Sequence, residues 1–283
     1  MHFYYLFIFT YIMAIFLAVL ARKTTPFQKH AKIYSTLFAL CAFTLTLLPI
    51  HEQNHTKKID KVLAAQISST DIVSLDRFDE NILRPAVQID VPLIGQYPEL
   101  PRGCEVTSLA MLLQYHNIQV DKMTLAKEVK KDPAKYKVKD GKVHFGHPNK
   151  GFVGNMYTLS EPGYGVYHKP IANLAKKYAG DRVHDLTGKS FYKVLQSVNR
   201  NEPVFVITNA KYKKLPSSAF TTWETSQGPV KITMQEHAVV ITGYDKDYIY
   251  FNDPLKREKK APFDDFKAAW VQMGKQAITI TLR

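Results

Sequence analysis

The sequence predicts an α+β domain that follows a pair of membrane-spanning helices near the N-terminus. Apolar residues recur at helical spacing in several segments between residues 104 and 199, whereas β-branched residues at period two dominate the chain after residue 203. Helices followed by strands favour an α+β fold over alternating βαβ units. Two long apolar runs before residue 51, separated by a short basic loop, predict the membrane helices.

The composition excludes several classes of protein. With 46% hydrophobic and 12% aromatic residues, the chain can bury a core, so wholesale disorder is excluded. The two cysteines, Cys41 and Cys104, are too few for a disulfide framework or for an all-cysteine zinc site. A formal net charge of +13 favours anionic partners. No nucleic-acid-binding motif accompanies that charge, so we expect no nucleic-acid partner.

Residues 1–50 are predicted to form a two-helix membrane hairpin. The runs Phe3–Ala21 and Ile33–Ile50 contain no charged residue. Each is close to the roughly 20 residues that a helix needs to cross about 30 Å of hydrocarbon. We therefore expect helices at about 3–21 and 33–50, with the lipid bilayer as a partner. The alternatives are a cleaved signal peptide for the first run and a buried core helix for the second.

The loop between the two runs predicts the orientation of the hairpin. It contains four basic residues and no acidic one, and short basic loops stay in the cytoplasm. Everything after residue 50 would then lie outside the cytoplasm. Residues 51–86 are polar and are interpreted as a linker, and a compact domain is expected over residues 87–283. Cys41 falls within the second run, which leaves Cys104 unpaired in an oxidising compartment.

Within the domain, the pattern predicts five helices and four strands. A loop rich in glycine and proline is expected over roughly residues 139–165. Ser190 is a candidate N-cap for the fourth helix. The predicted helices are Cys104–His116, Thr124–Lys131, Ile171–Tyr178, Ser190–Asn199 and Phe263–Met273, and the predicted strands are Val204–Thr208, His237–Thr242, Tyr248–Asn252 and Ala277–Leu282.

Cys104 is a candidate nucleophile because it is predicted to begin the first helix of the domain. Backbone N–H groups and the positive end of the helix dipole favour the thiolate there, and the thiolate is the reactive form. Its neighbours Gly103 and Glu105 differ from the apolar residues that flank a cysteine in a buried core segment. The alternative is a buried cysteine that only fills space.

His237 and Asp253 are candidates for the base and for the group that orients it. If the turn after the His237 strand centres on Asp245, paired residue numbers add up to about 490. His237 then lies opposite Asp253, whose carboxylate can hold one ring nitrogen and leave the other for a thiol. If the register differs, Asn252 is the residue that would orient His237 in place of Asp253. The alternative is an ordinary histidine at a strand end beside a turn aspartate.

Several segments together resemble a known family. They are Gly103–Met111 (GCEVTSLAM), Glu236–Val239 (EHAV) and Asn252–Pro254 (NDP), supported by Gln96–Pro101 (QYPELP) and Gly151–Gly154 (GFVG). These segments resemble the bacteriocin-leader (double-glycine) peptidase-like proteins, a branch of the papain-like cysteine peptidases. The resemblance covers roughly Val87 to the C-terminus.

The resemblance implies a papain-like fold in which a helix bearing Cys104 packs on an antiparallel sheet that presents His237 and Asp253. It also implies that the side-chain N–H of Gln96 supplements the backbone N–H of Cys104 in binding the oxyanion. The alternative for Gln96 is a surface amide in a turn. A peptidase of this kind needs neither a metal nor an organic cofactor.

The sequence therefore predicts a membrane-anchored cysteine peptidase that cleaves a peptide or protein substrate outside the cytoplasm. Two alternatives remain open. One is a cell-wall peptide hydrolase or acyl transferase with the same three residues, and the other is a catalytically inactive envelope binding module. The lysine-rich segment 130–142 is interpreted as a solvated face, with an anionic envelope polymer as the alternative partner.

Overall fold

The computed structural model describes residues 12–13, 15, 19, 33–37 and 83–282. The chain divides into two units, residues 1–78 and 79–283. In the first unit the described residues are helical, and the predicted membrane helices lie mostly outside the described part. Among the helices that the structure describes, none combines the length and the apolar character needed to cross a bilayer. Most of the predicted linker, residues 51–82, is also outside the described part.

The second unit is an α+β fold, as predicted. Its strands form three sheets and its helices cover the largest of them. In chain order the strands are β1 (Val87–Gln88), β2 (Lys131–Asp132), β3 (Lys137–Lys139), β4 (Lys142–His144), β5 (Phe152–Val153), β6 (Val183–Asp185), β7 (Val204–Asn209), β8 (Thr221–Thr225), β9 (Gly228–Ile232), β10 (Glu236–Tyr244), β11 (Tyr248–Asn252), β12 (Lys260–Pro262) and β13 (Ala277–Ile280). The helices are α1 (Cys104–Tyr115), α2 (Lys122–Glu128), α3 (His168–Ala179), α4 (Phe191–Asn199) and α5 (Phe263–Gln272).

The largest sheet is antiparallel throughout. Its order is β12-β11-β10-β7-β13-β6, and β1 pairs with the end of β10. Strand β10 is nearly all buried and pairs with β7 on one side and β11 on the other. A continuous apolar strand of this kind belongs at the centre of a sheet covered on both faces. A smaller sheet has the order β3-β4-β8-β9, and β2 pairs with β5.

The two faces of the large sheet bury different helices. Alternate residues of β7 point in opposite directions, so Phe205 and Ile207 pack with α1, α2 and α3, while Val204 and Val206 pack with α4 and α5. The first ten residues of α1, Cys104–Leu113, are all buried. A helix that is buried on every side is held by the core around it.

Most predicted helices and strands are present within a few residues of their predicted ends. Strand β11 has the predicted bounds, and Ser190 caps α4 by accepting a hydrogen bond from the Lys193 N–H. The second predicted helix ends three residues early, at Glu128, because Lys131 begins β2. The prediction that residues 139–165 form only a loop was wrong, because β4 and β5 lie within it.

Gly103 lets the chain enter α1 against the preceding turn. A Cβ atom at this position would lie 2.5 Å from Leu100 Cβ, and Leu100 is completely buried. Gly103→Ala should therefore lower the free energy of unfolding by about 1–3 kcal/mol through overpacking. Urea titration of the purified chain measures this loss. Gly95→Ala is the matched control, because its Cβ would meet only the movable end of the Lys256 side chain. Equal stability of the two variants would contradict the prediction.

Candidate active site

Cys104 is the first residue of α1, as predicted. The opening N–H groups of a helix have no intrahelical acceptor, so the backbone around the sulfur offers unpaired donors. The side chain is buried, with 7% of the residue exposed. Its Sγ lies 3.3 Å from Glu105 Oε2 and donates a hydrogen bond to that carboxylate.

Helix α1 is attached to β10 at the residue after His237. Ser108 Oγ donates to the carbonyl of Ala238 at 3.1 Å. One helical turn earlier, the backbone N–H of Ala238 lowers the pKa of the Cys104 thiol. The thiol is thereby held one residue along β10 from the candidate base.

His237 and Asp253 form a buried hydrogen bond. His237 Nε2 lies 2.7 Å from Asp253 Oδ1, and the two side chains are 3% and 0% exposed. Burial raises the pKa of Asp253, but the hydrogen bond and charge of His237 outweigh it, so the pKa lies below its ordinary value. The carboxylate also accepts backbone N–H groups from Leu255 and Arg257. With Nε2 engaged, Nδ1 is the ring nitrogen left for a thiol.

The strand register that was used to predict this pair was wrong. Val240 pairs with Asn252, and the register shifts after Ile241. Asp253 lies beyond the end of β11 and contacts His237 from the turn, so a cross-strand position is not needed. The substitute, Asn252, does not orient His237, because its side-chain amide donates to the carbonyl of Val91 at 2.7 Å.

The structure does not join Cys104 and His237 by a hydrogen bond within residues 83–282. The thiol proton is directed to Glu105 instead. In this resting arrangement the sulfur is a protonated donor to a carboxylate.

Two glutamates beside the thiol were not predicted as site residues. Ligand atoms of Cys104, Glu105 and Glu236 all lie within 4.8 Å of one another, and in the described part of the chain no other such group could hold a metal ion. Burial raises the pKa of Glu105 to about 7. Burial and the charge of Glu105 raise the pKa of Glu236 well above its ordinary value. In the sequence only their positions mark them, since Glu105 directly follows Cys104 and Glu236 directly precedes His237.

The expectation that the helix N-terminus lowers the pKa of Cys104 was wrong for this resting site. Burial raises the pKa of the thiol well above its ordinary value, and the charges of Glu105 and Glu236 raise it further. The loss of water and the two nearby carboxylates outweigh the donors at the start of the helix.

Gln96 lies close to the nucleophile loop but not in the predicted donor arrangement. It is buried, and its Nε2 donates to the carbonyls of Leu100 and Pro101 at 3.1 and 2.9 Å. Both amide hydrogens are engaged in that turn, whereas Oε1 is buried without a hydrogen-bond partner. The two acceptors identify the nitrogen, because a flipped amide would place oxygen against oxygen. Its role as an oxyanion donor stays a prediction.

Tyr212 is a further contact that sequence reasoning missed. Its ring lies edge-on to the imidazole of His237, with 6.2 Å between ring centroids, and its side chain helps to lower the pKa of Asp253. It follows β7 in a loop for which no motif was apparent. Nothing in the sequence signals that this loop returns to the site.

Similarity to known proteins identifies the class of this domain. The Peptidase_C39 like family matches residues 88–278. The uncharacterized protein YvpB of Bacillus subtilis (strain 168) is 45% identical over 217 residues, which are 76% of this chain and 84% of that protein. The chain therefore belongs to the Peptidase_C39 like family, and this membership supports a cysteine-peptidase type of function.

Solved structures are also similar. The crystal structure of a protein from Bacillus anthracis, assigned as a C39-like peptidase, has 53% identity and a TM-score of 0.66 over 71% of this chain and 99% of that chain. A double glycine motif protease from an AMS/PCAT transporter, solved with its leader peptide, aligns over 69% of this chain and 95% of its own with 17% identity and a TM-score of 0.32. That second similarity is too low to support an inference.

The raised pKa of Glu105 predicts a pH-dependent stability. Its folded pKa of about 7 lies above the ordinary value of 4.5, so the folded state binds the proton more tightly than the unfolded state. The stability that the protonated Glu105 contributes to the folded state is fully present below about pH 4.5 and is lost as the pH rises through 7. Glu105→Gln should therefore be more stable than the wild type at pH 8 by about 1–3 kcal/mol, and this gain should vanish near pH 5.

Urea titration at pH 5, 6, 7 and 8 measures this difference. The control is Glu128→Gln, which changes an exposed glutamate on α2 and should follow the wild type at every pH. If the free energy of unfolding of Glu105→Gln differed from that of the wild type by the same amount at every pH, Glu105 would carry no raised pKa.

Proposed function

We propose that the chain is a membrane-anchored cysteine peptidase that hydrolyses peptide bonds outside the cytoplasm. In this proposal Cys104 attacks the scissile carbonyl, and His237 accepts the thiol proton and later gives it to the leaving amine. Asp253 holds the imidazole in the tautomer that leaves Nδ1 free.

The buried hydrogen bond between His237 and Asp253 carries the proposal. A histidine held through Nε2 by a carboxylate at 2.7 Å is the arrangement that a general base next to a nucleophile requires. The position of Cys104 supports it as well, because Ser108, one turn later on the same helix, donates to the carbonyl of Ala238, the residue after His237. Membership in a peptidase family agrees with both.

The chemistry starts from the neutral thiol. The thiol gives up its hydrogen bond to Glu105, and its proton passes to His237 Nδ1 as the sulfur attacks the carbonyl carbon. This step gives a tetrahedral oxyanion and an imidazolium. In this proposal the backbone N–H of Cys104 donates to that oxyanion, and Gln96 would join it by releasing the Leu100 or Pro101 carbonyl. The imidazolium then protonates the leaving amine, and water hydrolyses the thioester.

Substitution of the three residues tests this mechanism. We expect Cys104→Ala to abolish cleavage of a peptide library by the full chain, because no nucleophile remains. His237→Ala should also abolish it, and Asp253→Asn should lower kcat by about 10³–10⁴-fold because the tautomer is no longer held. Mass spectrometry of the cleaved library measures all three, with thermal unfolding to verify the fold. Turnover retained by Cys104→Ala would exclude the mechanism.

The same assay separates the proposed substrate class from the alternatives. Cleavage of linear peptides supports a peptidase, whereas cleavage or transfer restricted to peptidoglycan fragments would replace it with a cell-wall hydrolase or acyl transferase. Absence of turnover on both, together with slow alkylation of Cys104 by iodoacetamide at every pH, would favour an inactive binding module.

The proposed location depends on the basic loop between the two apolar runs. Cysteines introduced singly into a cysteine-free chain (Cys41→Ala, Cys104→Ala) would report the topology in intact cells. We expect a membrane-impermeant maleimide to label Lys213→Cys, an exposed position in the domain, and to label Gln28→Cys in the loop only after permeabilisation. The reverse pattern of labelling would contradict an extracytoplasmic domain.

A further inference from the structure

We propose that Cys104, Glu105 and Glu236 form a binding site for Zn²⁺, and that the bound ion inhibits the peptidase by occupying its nucleophile. The inhibitory part rests on the proposed function, whereas the binding site rests on the geometry of three side chains. Four observations support the site. They are the spacing of the ligand atoms, a buried carboxylate oxygen with no donor, the backbone beside both glutamates and the charge of the group.

The three side chains already lie close to the spacing of metal ligands. Zn–S bonds are about 2.3 Å long and Zn–O bonds about 2.0–2.2 Å, so neighbouring ligand atoms on a tetrahedral zinc lie about 3.5 Å apart. Cys104 Sγ and Glu105 Oε2 are 3.3 Å apart, and no pair of ligand atoms in the group with Glu236 is separated by more than 4.8 Å. Shifts of about 1 Å therefore bring the sulfur and both carboxylates to bonding distance from one ion.

One oxygen of Glu236 is available to a cation. Glu236 Oε1 is buried, and no hydrogen-bond donor among the described residues contacts it. Buried polar atoms are nearly always hydrogen-bonded, so an atom of this kind requires an explanation. The residue as a whole is partly exposed, which gives an ion in solution a route to the group. A cation between the sulfur and the two carboxylates would satisfy this oxygen.

The backbone of Gly165 and Val166 holds the two carboxylates beside each other. The Val166 N–H donates to Glu105 Oε1 at 2.6 Å, while Oε2 of the same carboxylate accepts from the sulfur. A Cβ atom on Gly165 would overlap Glu105 Oε1 and would lie 2.9 Å from Glu236 Oε2, so glycine is needed for both carboxylates to reach this segment. Outer contacts of this kind orient the ligands of metal sites.

The charge and the chemistry of the group favour zinc. None of the ion pairs within residues 83–282 includes Glu105 or Glu236, so no basic side chain of this range neutralises them. A thiolate is a soft ligand that suits zinc, whereas Mg²⁺ and Ca²⁺ prefer six or more oxygens. Ligation releases the proton of Cys104 to water and forms a Zn–S bond with no change of oxidation state. The sulfur lone pair that would attack a carbonyl is then held by the metal.

Zinc titration of the full chain tests the site. All proteins carry Cys41→Ala, so that Cys104 is the sole thiol. Competition with a chromophoric chelator measures the affinity, and thermal unfolding verifies that each variant folds. We expect one Zn²⁺ per chain to depend on the group, with Cys104→Ser, Glu236→Gln and Glu105→Gln each weakening its binding at least about tenfold. The matched control is Glu128→Gln on α2, which changes an exposed glutamate and should keep the affinity of the wild type.

Cobalt distinguishes this site from histidines elsewhere in the chain. A Co²⁺ ion bound by a thiolate gives a charge-transfer absorption band, so the wild type should show this band and Cys104→Ser should not. Excess Zn²⁺ should remove the band, and excess Mg²⁺ should leave it unchanged. A wild type without the band would overturn the site, and so would equal affinity for Zn²⁺ in the wild type and Glu236→Gln.

Inhibition is measured separately on the peptide library. We expect Zn²⁺ to stop cleavage by the wild type and a chelator to restore it. The Zn²⁺ concentration that halves the rate should rise at least about tenfold in Glu236→Gln, relative to the rate of that variant without metal. An unchanged concentration would overturn the inhibitory role. If the wild type cleaves no peptide, the proposed function fails, while the zinc and cobalt titrations still decide the binding site.

Discussion

The attachment of helix α1 to strand β10 is the constraint on which the candidate site depends. Ser108 Oγ donates to the carbonyl of Ala238, and the N–H of the same residue lowers the pKa of the Cys104 thiol one turn earlier. The helix is buried on every side along its first ten residues, so it has little freedom to move along the strand. This single crossing determines where a thiol from one part of the chain meets a histidine from another, 133 positions later in the sequence.

The electrostatics of the resting site oppose the reactive form of the cysteine. Burial and two carboxylates raise the pKa of the thiol, while the Ala238 N–H lowers it. In the proposed mechanism the nucleophile rests as a thiol and becomes a thiolate only when His237, polarised by Asp253, takes up its proton. Glu105 and Glu236 stay outside the bond-making steps of that mechanism.

The sequence could predict those site residues that their immediate neighbours in the chain identify. Cys104 follows a glycine at a helix start, and His237 and Asp253 lie in short recognisable strings, so local pattern was sufficient. The register argument reached the correct pair through an incorrect ladder, because the turn is centred later than Asp245, with Tyr244 opposite Ile249. Tyr212 had no local signal, since its ring contact with His237 depends on a left-handed turn and on two phenylalanines from other elements.

The sequence by itself determined the α+β class, most helices and strands, and the identity of the candidate nucleophile and base, because periodicity and flanking residues are local properties of a chain. Tertiary structure alone decided the protonation of the thiol, the hydrogen bonds of Gln96 and the strands hidden in the glycine-rich segment. These depend on desolvation, on which carbonyls face an amide, and on pairing partners about 80 residues away, such as Glu224 opposite His144. Such quantities arise only when distant segments pack together, so no window of sequence contains them.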